Sequence, residues 1–254
     1  MWNKNIQTFI GLEASFDEAK CVIFGAPMDS TTSYRPGTRF ASSAMRQESF
    51  GIETYSPYQD KDLEDIKVFD GGDLELPFGN PRKSLDMIQE TIKTILEANK
   101  LPCMIGGEHL VTLGAIEAVV EKYPDLRIIH FDAHTDLRDE YLGEKLSHAS
   151  VIRRVHDIVG NGKIHQFGIR SGERDEFYWA KEHTNLNKFN FKGLQEAIEE
   201  CQNYPVYFTI DKNEDNKYFN FTNEPVPVGF LNINKTVLED NTLNRDPAGM
   251  PLEG

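Results

Sequence analysis

The sequence predicts a single α/β domain in which a mostly parallel β-sheet lies between two layers of helices. Short apolar runs alternate with longer stretches of helical periodicity, which is the pattern of successive β-α-β units. Right-handed crossovers in such units cover both faces of a parallel sheet with helices. The chain has 254 residues, of which 39% are hydrophobic, so it is long and apolar enough for one sizeable core. We therefore expect residues 1–254 to form one three-layer domain.

The predicted strands are short apolar runs that stop at glycine or at an acidic residue. They cover residues 20–25, 67–70, 101–105, 127–132, 164–169 and 206–211. The clearest predicted helix, residues 84–99, repeats apolar residues at helical spacing along one face. The other predicted helices cover residues 110–123, 147–159 and 191–201. Sites in open parallel sheets form at the carboxyl ends of strands, so polar residues that follow the strands are the first functional candidates.

Composition narrows the class of protein. The formal net charge of −14 would repel nucleic-acid phosphates, whereas it suits a small cationic substrate. Three cysteines lie far apart in the chain, which predicts free thiols in a reducing compartment. The sequence also has no apolar run near the roughly 20 residues that cross a bilayer, and its start does not resemble a signal peptide. We expect a soluble cytoplasmic protein that binds neither nucleic acid nor membrane.

The densest group of potential metal ligands follows the strand at residues 127–132. Asp132, His134 and Asp136 are alternate residues, and alternate side chains of an extended segment point the same way. Two carboxylates held close together repel each other unless a cation lies between them. His109 and Asp211 stand at the ends of two other predicted strands and could reach the same point. Oxygen and nitrogen ligands without thiolate suit manganese, with zinc and iron as competitors.

Two interpretations of the Asp-x-His-x-Asp segment are open on this pattern alone. It could be a solvated acidic loop, or it could bind a metal. The segment Gly106-Gly107-Glu108-His109 at a second strand end favours the metal site.

Several segments of the sequence resemble a known family, the ureohydrolases, which include arginases and agmatinases. The resemblance depends on Gly106-Gly107-Glu108-His109, Asp132-Ala133-His134-Thr135-Asp136 and Thr209-Ile210-Asp211. Segments 25–40 and 136–150 are similar to the agmatinase branch, and Gly168-Ile169-Arg170-Ser171 is another shared segment. The resemblance covers roughly residues 15–211.

The resemblance implies one α/β domain with eight parallel strands and two manganese ions at the strand ends. By this resemblance, His109, Asp132 and Asp136 hold one ion. Asp132 also bridges to the second ion, which His134 binds. Asp211 matches the first aspartate of the last ligand motif, which also bridges. The family commonly assembles as trimers or hexamers, so a homo-oligomer is expected.

The implied reaction is hydrolysis of a guanidino substrate, most simply agmatine to putrescine and urea. A guanidinium carbon is deactivated by resonance, and a metal-activated water is a stronger nucleophile than neutral water. The resemblance gives Asp136 a hydrogen bond from that nucleophile and gives His148 the transfer of a proton to the departing amine. A surface histidine at a helix start is the alternative interpretation of His148. Arginine and guanidinobutyrate are competing substrates.

Residues 212–254 depart from the family pattern. Asn213 stands where a second ligand aspartate is expected, which loosens the second manganese site, and Asn216 replaces a later aspartate. Glu224, in a proline-rich segment, is the candidate contact for the guanidinium. The family's last interior strand and the helix after it are not indicated in this segment. Divergence, a reading-frame shift after Asp211 and an error in this part of the sequence are the three explanations.

Two further functions compete with an active agmatinase. Asn213 and the unusual tail are compatible with a metal-binding relative that has lost activity and acts through its oligomer. A metal-dependent deacetylase shares the fold, but the pairing of Gly-Gly-Glu-His with Asp-Ala-His-Thr-Asp argues against it.

Overall fold

An eight-stranded parallel sheet organises the part of the chain that the computed structural model describes, residues 7–212 and 229–235. The strands are β1 Cys21–Ala26, β2 Tyr55–Ser56, β3 Lys61–Asp62, β4 Val68–Asp73, β5 Leu101–Gly106, β6 Arg127–Phe131, β7 Ile164–Ile169, β8 Asn185–Lys188, β9 Val206–Lys212 and β10 Gly229–Lys235. The helices are α1 Ala41–Ser49, α2 Pro81–Glu97, α3 Val111–Lys122, α4 Val151–Val159, α5 Arg174–His183 and α6 Leu194–Cys201. Residues 1–6, 213–228 and 236–254 lie outside the described part, so one domain over residues 1–254 stays a prediction.

The strand order is β4-β1-β5-β10-β9-β6-β7-β8, and β2 and β3 form a separate antiparallel pair. Every pairing in the large sheet is parallel. The predicted α/β class and the eight parallel strands implied by the family resemblance are therefore confirmed. The four strands β5, β10, β9 and β6 are neighbours, so their carboxyl ends lie together at one edge.

Helices cover both faces of the sheet because alternate strand residues enter two separate apolar cores. In β6, Ile128 belongs to the larger core and Ile129 to the smaller one. The larger core contains the buried faces of α2, α3 and α4, and the smaller contains α6. Where α2 meets α3, a Cβ on Gly114 would lie 2.7 Å from the Leu85 carbonyl oxygen, so only glycine permits this close approach.

The sequence indicated no interior strand beyond residue 211, and this expectation is wrong. β10 lies between β5 and β9, with Leu231–Asn234 opposite Cys103–Gly106 and Gly229–Lys235 opposite Val206–Lys212. Interior strands of parallel sheets read as near-continuous apolar runs. Asn232 and Asn234 interrupt such a run in the sequence, which explains why the strand is not recognised from its pattern.

The sequence pattern also does not predict α1, α5, the edge strand β8 or the short pair β2 and β3, and it places the start of one helix wrongly. α1, α5 and the edge strand β8 lie in segments with many polar residues and no strong apolar period. The predicted helix at 147–159 begins with a 3-10 turn, His148–Ser150, and becomes α-helical only at Val151. No helix among the described residues combines the length and apolar character needed to span a membrane.

Candidate metal centre

Three strand ends supply the side chains of the candidate metal centre. His109 lies just beyond β5, Asp132 directly follows β6, and Asp211 is the penultimate residue of β9. These strands are parallel and lie within one four-strand block of the sheet, so their ends meet at the same edge.

Asp132 is the hub of this cluster and is fully buried. Its Oδ2 accepts a hydrogen bond from His130 Nε2 at 3.0 Å and lies 3.5 Å from His109 Nδ1. Its Oδ1 accepts the backbone N–H of His134 at 2.8 Å and lies 3.5 Å from His134 Nδ1. Burial alone would raise the pKa of Asp132, but the hydrogen bonds from His130 and His134 outweigh it and the pKa is lowered. Asp132 is therefore a carboxylate.

Asp136 and His109 form the closest pair, with 2.7 Å between Asp136 Oδ2 and His109 Nδ1. Both side chains are buried. Burial opposes a charged imidazole, but the bond to Asp136 and the surrounding carboxylates raise the pKa of His109 to about 9. Thr209 fixes the other ring nitrogen, with 3.0 Å between its hydroxyl and Nε2. The backbone of Asp136 adopts a left-handed φ of 52°, an unfavourable conformation for a non-glycine residue that often marks functional sites.

His134 and Asp211 complete the cluster on the side that faces the cavity. The His134 side chain is about half exposed, and the hydrogen bond with Asp132 raises its pKa to about 9. Asp211 is partly buried, and its pKa is raised by burial and by the negative charge of Asp132. Two carboxylates of opposite pKa shift thus lie near the same imidazoles.

This donor set fits a divalent cation. Among the residues that the structure describes, the ion-pair partners of Asp132 and Asp136 are histidines rather than lysine or arginine. Close carboxylates at this depth need compensating positive charge, and imidazoles supply it only while protonated. A divalent ion supplies it permanently and uses the same oxygen and nitrogen donors.

His130 lies close enough to be counted with the ligands, since its ring nitrogen is within 4.8 Å of donor atoms on His109, Asp132 and Asp136. Both of its nitrogens are already hydrogen-bonded. Gln166 Nε2 donates to Nδ1 at 3.1 Å, which leaves the proton on Nε2 to be donated to Asp132. Gln166 is held in turn by the Thr184 hydroxyl at 3.0 Å. With both nitrogens occupied, His130 is suited to orient Asp132 rather than to bind an ion itself.

The cluster lies at the floor of a cavity of about 590 Å³. That volume is in the range of small-molecule sites. His148 and Tyr141 line one wall, and their rings meet edge to face at 5.7 Å between centroids. Arg138 and Glu173 line another part of the cavity, with 3.0 Å between Arg138 Nη2 and Glu173 Oε1. Burial lowers the pKa of His148, so its imidazole is neutral near pH 7.

The structure brings most of the predicted site residues to one cavity. These are His109, His134, Asp136, His148 and Asp211, with Asp132 buried directly beneath them. Glu224, the predicted guanidinium contact, and Asn213, the departure at the second ion, lie outside the described residues. The supporting residues Gln166, Thr184 and Thr209 were not predicted, because no local motif marks a polar residue whose partner is distant in sequence.

Known proteins resemble this chain in both sequence and structure. The model of the Arginase family matches residues 19–232. An agmatinase of Bacillus cereus is 52% identical over 207 residues, which is 81% of this chain and 71% of that protein. An agmatinase of Bacillus subtilis is 51% identical over the same coverage. The crystal structure of the agmatine ureohydrolase of Thermoplasma volcanium is similar with a TM-score of 0.80 at 29% identity, over 93% of this chain and 88% of that one.

Proposed function

The chain belongs to the arginase family and is an agmatinase-type ureohydrolase, and on this premise we propose that it hydrolyses agmatine to putrescine and urea at a centre of two manganese ions. The observation that carries the proposal is the meeting of three carboxylates and two imidazoles at the floor of one cavity. Arginine and guanidinobutyrate contain the same guanidino group and are the competing substrates.

His109, Asp132, His134, Asp136 and Asp211 would hold the two ions. Manganese accepts mixed carboxylate and imidazole ligands, and bound ions of this kind supply a water molecule of lowered pKa as nucleophile. Asp132 would contribute to both sites, because its Oδ2 lies 3.5 Å from His109 and its Oδ1 lies 3.5 Å from His134. Asn213 and the occupancy of the second site belong to the segment beyond the described residues, so metal stoichiometry is a central measurement.

The remaining chemistry is the movement of a proton. Asp136 would accept a hydrogen bond from the attacking water, since its Oδ2 lies beside His109 at the cavity floor. His148 would take the proton that the water loses and return it to the amine nitrogen as the C–N bond breaks. A neutral imidazole at the cavity wall is suited to both steps, because its burial-lowered pKa leaves it free to accept a proton near pH 7.

The proposed substrate carries positive charge at both ends at neutral pH, a guanidinium and a primary ammonium. The cavity offers acidic groups for both. The ligand carboxylates lie at its floor, and Glu173 and Glu176 lie in its lining. Glu173 is exposed and pairs with Arg138, so it is the group that an entering ammonium can reach. Glu224 remains the proposed contact for the guanidinium.

Urea release from agmatine tests the proposal directly. The protein is loaded with Mn²⁺, its metal content is measured, and urea formation is followed with agmatine, arginine and guanidinobutyrate in parallel. We expect two ions per chain and a kcat/KM for agmatine well above that for the other two substrates. Two bound ions without urea from any guanidino compound would contradict the proposal and favour a relative without activity.

Assembly and location stay predictions. The family resemblance predicts a trimer or hexamer, which light scattering after gel filtration measures. A cytoplasmic location is expected from the sequence, and cell fractionation tests it.

A further inference from the structure

The strands β2 and β3 form a hairpin that is separate from the large sheet. Each strand has only two residues, Tyr55–Ser56 and Lys61–Asp62. In the turn between them, the side chain of Tyr58 is 91% exposed. A hairpin of two short strands has little stability of its own, and an aromatic ring in water adds no burial energy. The hairpin therefore presents a large ring that another surface can bury.

The tip of this hairpin is held in one shape by its own hydrogen bonds. The backbone N–H of Gln59 donates to the Ser56 carbonyl oxygen at 3.2 Å. The Tyr55 hydroxyl donates to Asp60 Oδ1 at 2.8 Å. A tip that is already ordered loses less conformational entropy when it binds. Tyr58 is therefore a preorganised anchor.

A groove of about 630 Å³ lies apart from the metal centre, and its lining shares no residue with the cavity described above. Its apolar lining includes Phe40, Leu74, Leu76, Phe78 and Met87. Phe78 is 81% exposed and Phe40 is 62% exposed, so two aromatic rings of the groove face solvent. Exposed aromatic rings beside an apolar groove are typical of a surface that binds another protein.

Arg39 links the two exposed rings of the groove. Its guanidinium carbon lies 5.1 Å from the centre of the Phe78 ring and 6.0 Å from that of Phe40. Asp29 fixes this guanidinium with contacts of 2.8 and 2.7 Å. The side chain of Asp29 is buried, whereas that of Arg39 is 33% exposed, so the charge that faces solvent is the cation. The groove thus has a positively charged, aromatic edge.

The hairpin and the groove differ in charge. Residues 50–66, which include the hairpin, contain five acidic residues and one lysine. Residues 31–40, whose last two members line the groove, contain two arginines and no acidic residue. Elsewhere in the groove, Lys83 offsets Glu75, and Asp73 already has an arginine partner. The groove side is therefore a basic exception in a chain of net charge −14, and it complements the acidic hairpin.

This complementarity favours a head-to-tail contact between two copies of the chain. Two grooves facing each other would bring arginines together, and two hairpins facing each other would bring carboxylates together. The exposure of Tyr58 shows that the hairpin tip does not fill the groove of its own chain. A contact between two different surfaces, repeated from copy to copy, generates a ring when the rotation closes.

We propose that the hairpin tip of one copy inserts Tyr58 into the groove beside Phe40 and Phe78 of the next copy. The carboxylates of the hairpin then face Arg39 and Arg35. Arg35 also lines the cavity of the metal centre, so the docked copy borders the entrance of that cavity. The inference concerns assembly and does not depend on the substrate.

Tyr58→Asp and Phe78→Asp test the contact from its two sides. Both side chains are exposed, so the fold should persist, which circular dichroism and the melting temperature check. We expect the dissociation constant of the assembly to rise at least roughly 30-fold in each variant, as for a central aromatic anchor. Light scattering over a dilution series measures it. Tyr178→Asp, at an exposed aromatic residue of α5 outside both surfaces, is the matched control and should assemble like wild type.

Mixing the two variants shows whether the two surfaces meet each other. Tyr58→Asp retains an intact groove and Phe78→Asp retains an intact hairpin, so one good contact is available between unlike chains. With a tag on one variant, the mixture should form assemblies of both chains that are larger than either variant forms alone. A monomeric wild-type protein, an unchanged mass in either variant, no recovery on mixing, or an equal loss in Tyr178→Asp would each overturn the inference.

Cross-linking covers the case in which an aspartate variant fails to fold. Tyr58→Cys and Phe78→Cys chains are mixed and treated with a short bismaleimide. We expect a linked dimer in higher yield than from either variant alone or from wild type, which contributes its own three cysteines as background. Equal yields would overturn the inference. None of these measurements uses urea release, so their outcome is independent of the proposed function.

Discussion

Two clusters of carboxylates lie on or just beyond strands of the same parallel sheet, and they differ in the source of their positive charge. In the arginine cluster (Arg46, Asp70 and Asp73) the guanidinium contacts Asp70 at 2.8 and 3.0 Å and Asp73 at 2.5 Å. Burial alone would lower the pKa of Arg46, but the two carboxylates raise it. In the metal-centre cluster (His109, Asp132, His134, Asp136 and Asp211) the partners are imidazoles.

The difference separates a structural group from a functional one. A guanidinium is charged at every accessible pH, so the arginine cluster is complete within the chain. An imidazole is charged only when protonated, so the metal-centre cluster is complete only with added protons or a cation. Both clusters contain buried acidic residues, so burial alone does not distinguish them. They differ in whether the neighbouring positive charge is permanent, as on arginine, or depends on pH, as on histidine.

The largest expected effect follows from neutralising the hub of the metal-centre cluster. Asp132→Asn removes the charge that both histidines face, and we expect urea release to fall at least roughly 1,000-fold, a loss at the upper end for one charge-stabilising group. Metal analysis should show fewer than two ions per chain. In wild-type protein, chelation of the metal should lower the melting temperature, and this effect should be much smaller in Asp132→Asn.

The same substitution in the arginine cluster is the matched control. Asp70→Asn should leave metal content and kcat close to wild type while it lowers thermal stability. Loss of bound manganese in Asp70→Asn would show that the two clusters are not independent.

The second effect is on stability rather than on activity. Arg46→Met leaves Asp70 buried without its cation, and we expect the free energy of unfolding to fall by about 3–5 kcal/mol. Denaturant titration of the metal-loaded protein measures the change, and kcat per folded molecule should not change. The double variant Arg46→Met with Asp70→Asn should recover part of the lost unfolding free energy, since fewer unpaired charges remain. No recovery would contradict the view that Arg46 stabilises the fold by pairing with Asp70.

A third, smaller effect tests the support behind the metal centre. His130→Met removes the hydrogen bond to Asp132, and manganese affinity should fall about 10- to 100-fold, as is typical for residues that orient a ligand. His130→Gln can place an amide N–H near the position of Nε2 and should lose less. Competition with a fluorescent chelator measures both affinities, and equal losses would mean that packing, rather than the hydrogen bond, is what matters.

The smallest effect is expected at the exposed rim. Glu173→Gln should raise the KM for agmatine by about two- to five-fold without changing metal content, because an exposed charge pair contributes roughly 0.2–1 kcal/mol. The increase should shrink at high salt. An unchanged KM would place the ammonium of the substrate elsewhere.

The candidate ligands could be predicted because they lie at or just beyond the ends of strands. Asp132 comes one residue after β6 and Asp136 follows four residues later, so local sequence carries most of the information, although Asp136 is placed by a left-handed backbone rather than by an extended strand. Strong apolar runs likewise located β1, β5, β6, β7 and β9.

The residues that contact the candidate ligands and His148 from behind could not be predicted, because their partners are distant in the chain. Gln166 becomes meaningful only when β7 lies next to β6, and Thr31 only when its loop reaches His148, 117 positions away. Arg46 has no motif that separates it from a surface arginine. In the fold, the edge strand β8 and the strand β10 could not be predicted for a related reason. β8 is polar and β10 contains asparagines, so neither has the apolar run of an ordinary strand.

The absence of a side chain at Gly107 allows two segments that line the cavity to come into direct contact. A Cβ on Gly107 would lie 1.9 Å from the Met28 carbonyl oxygen, so the turn that carries His109 touches the segment that leads to Thr31 main chain against main chain. The backbone N–H of Glu108 completes this contact at 2.7 Å from the same oxygen. Side-chain changes elsewhere in either segment can therefore alter the shape of the cavity without separating these two stretches of main chain.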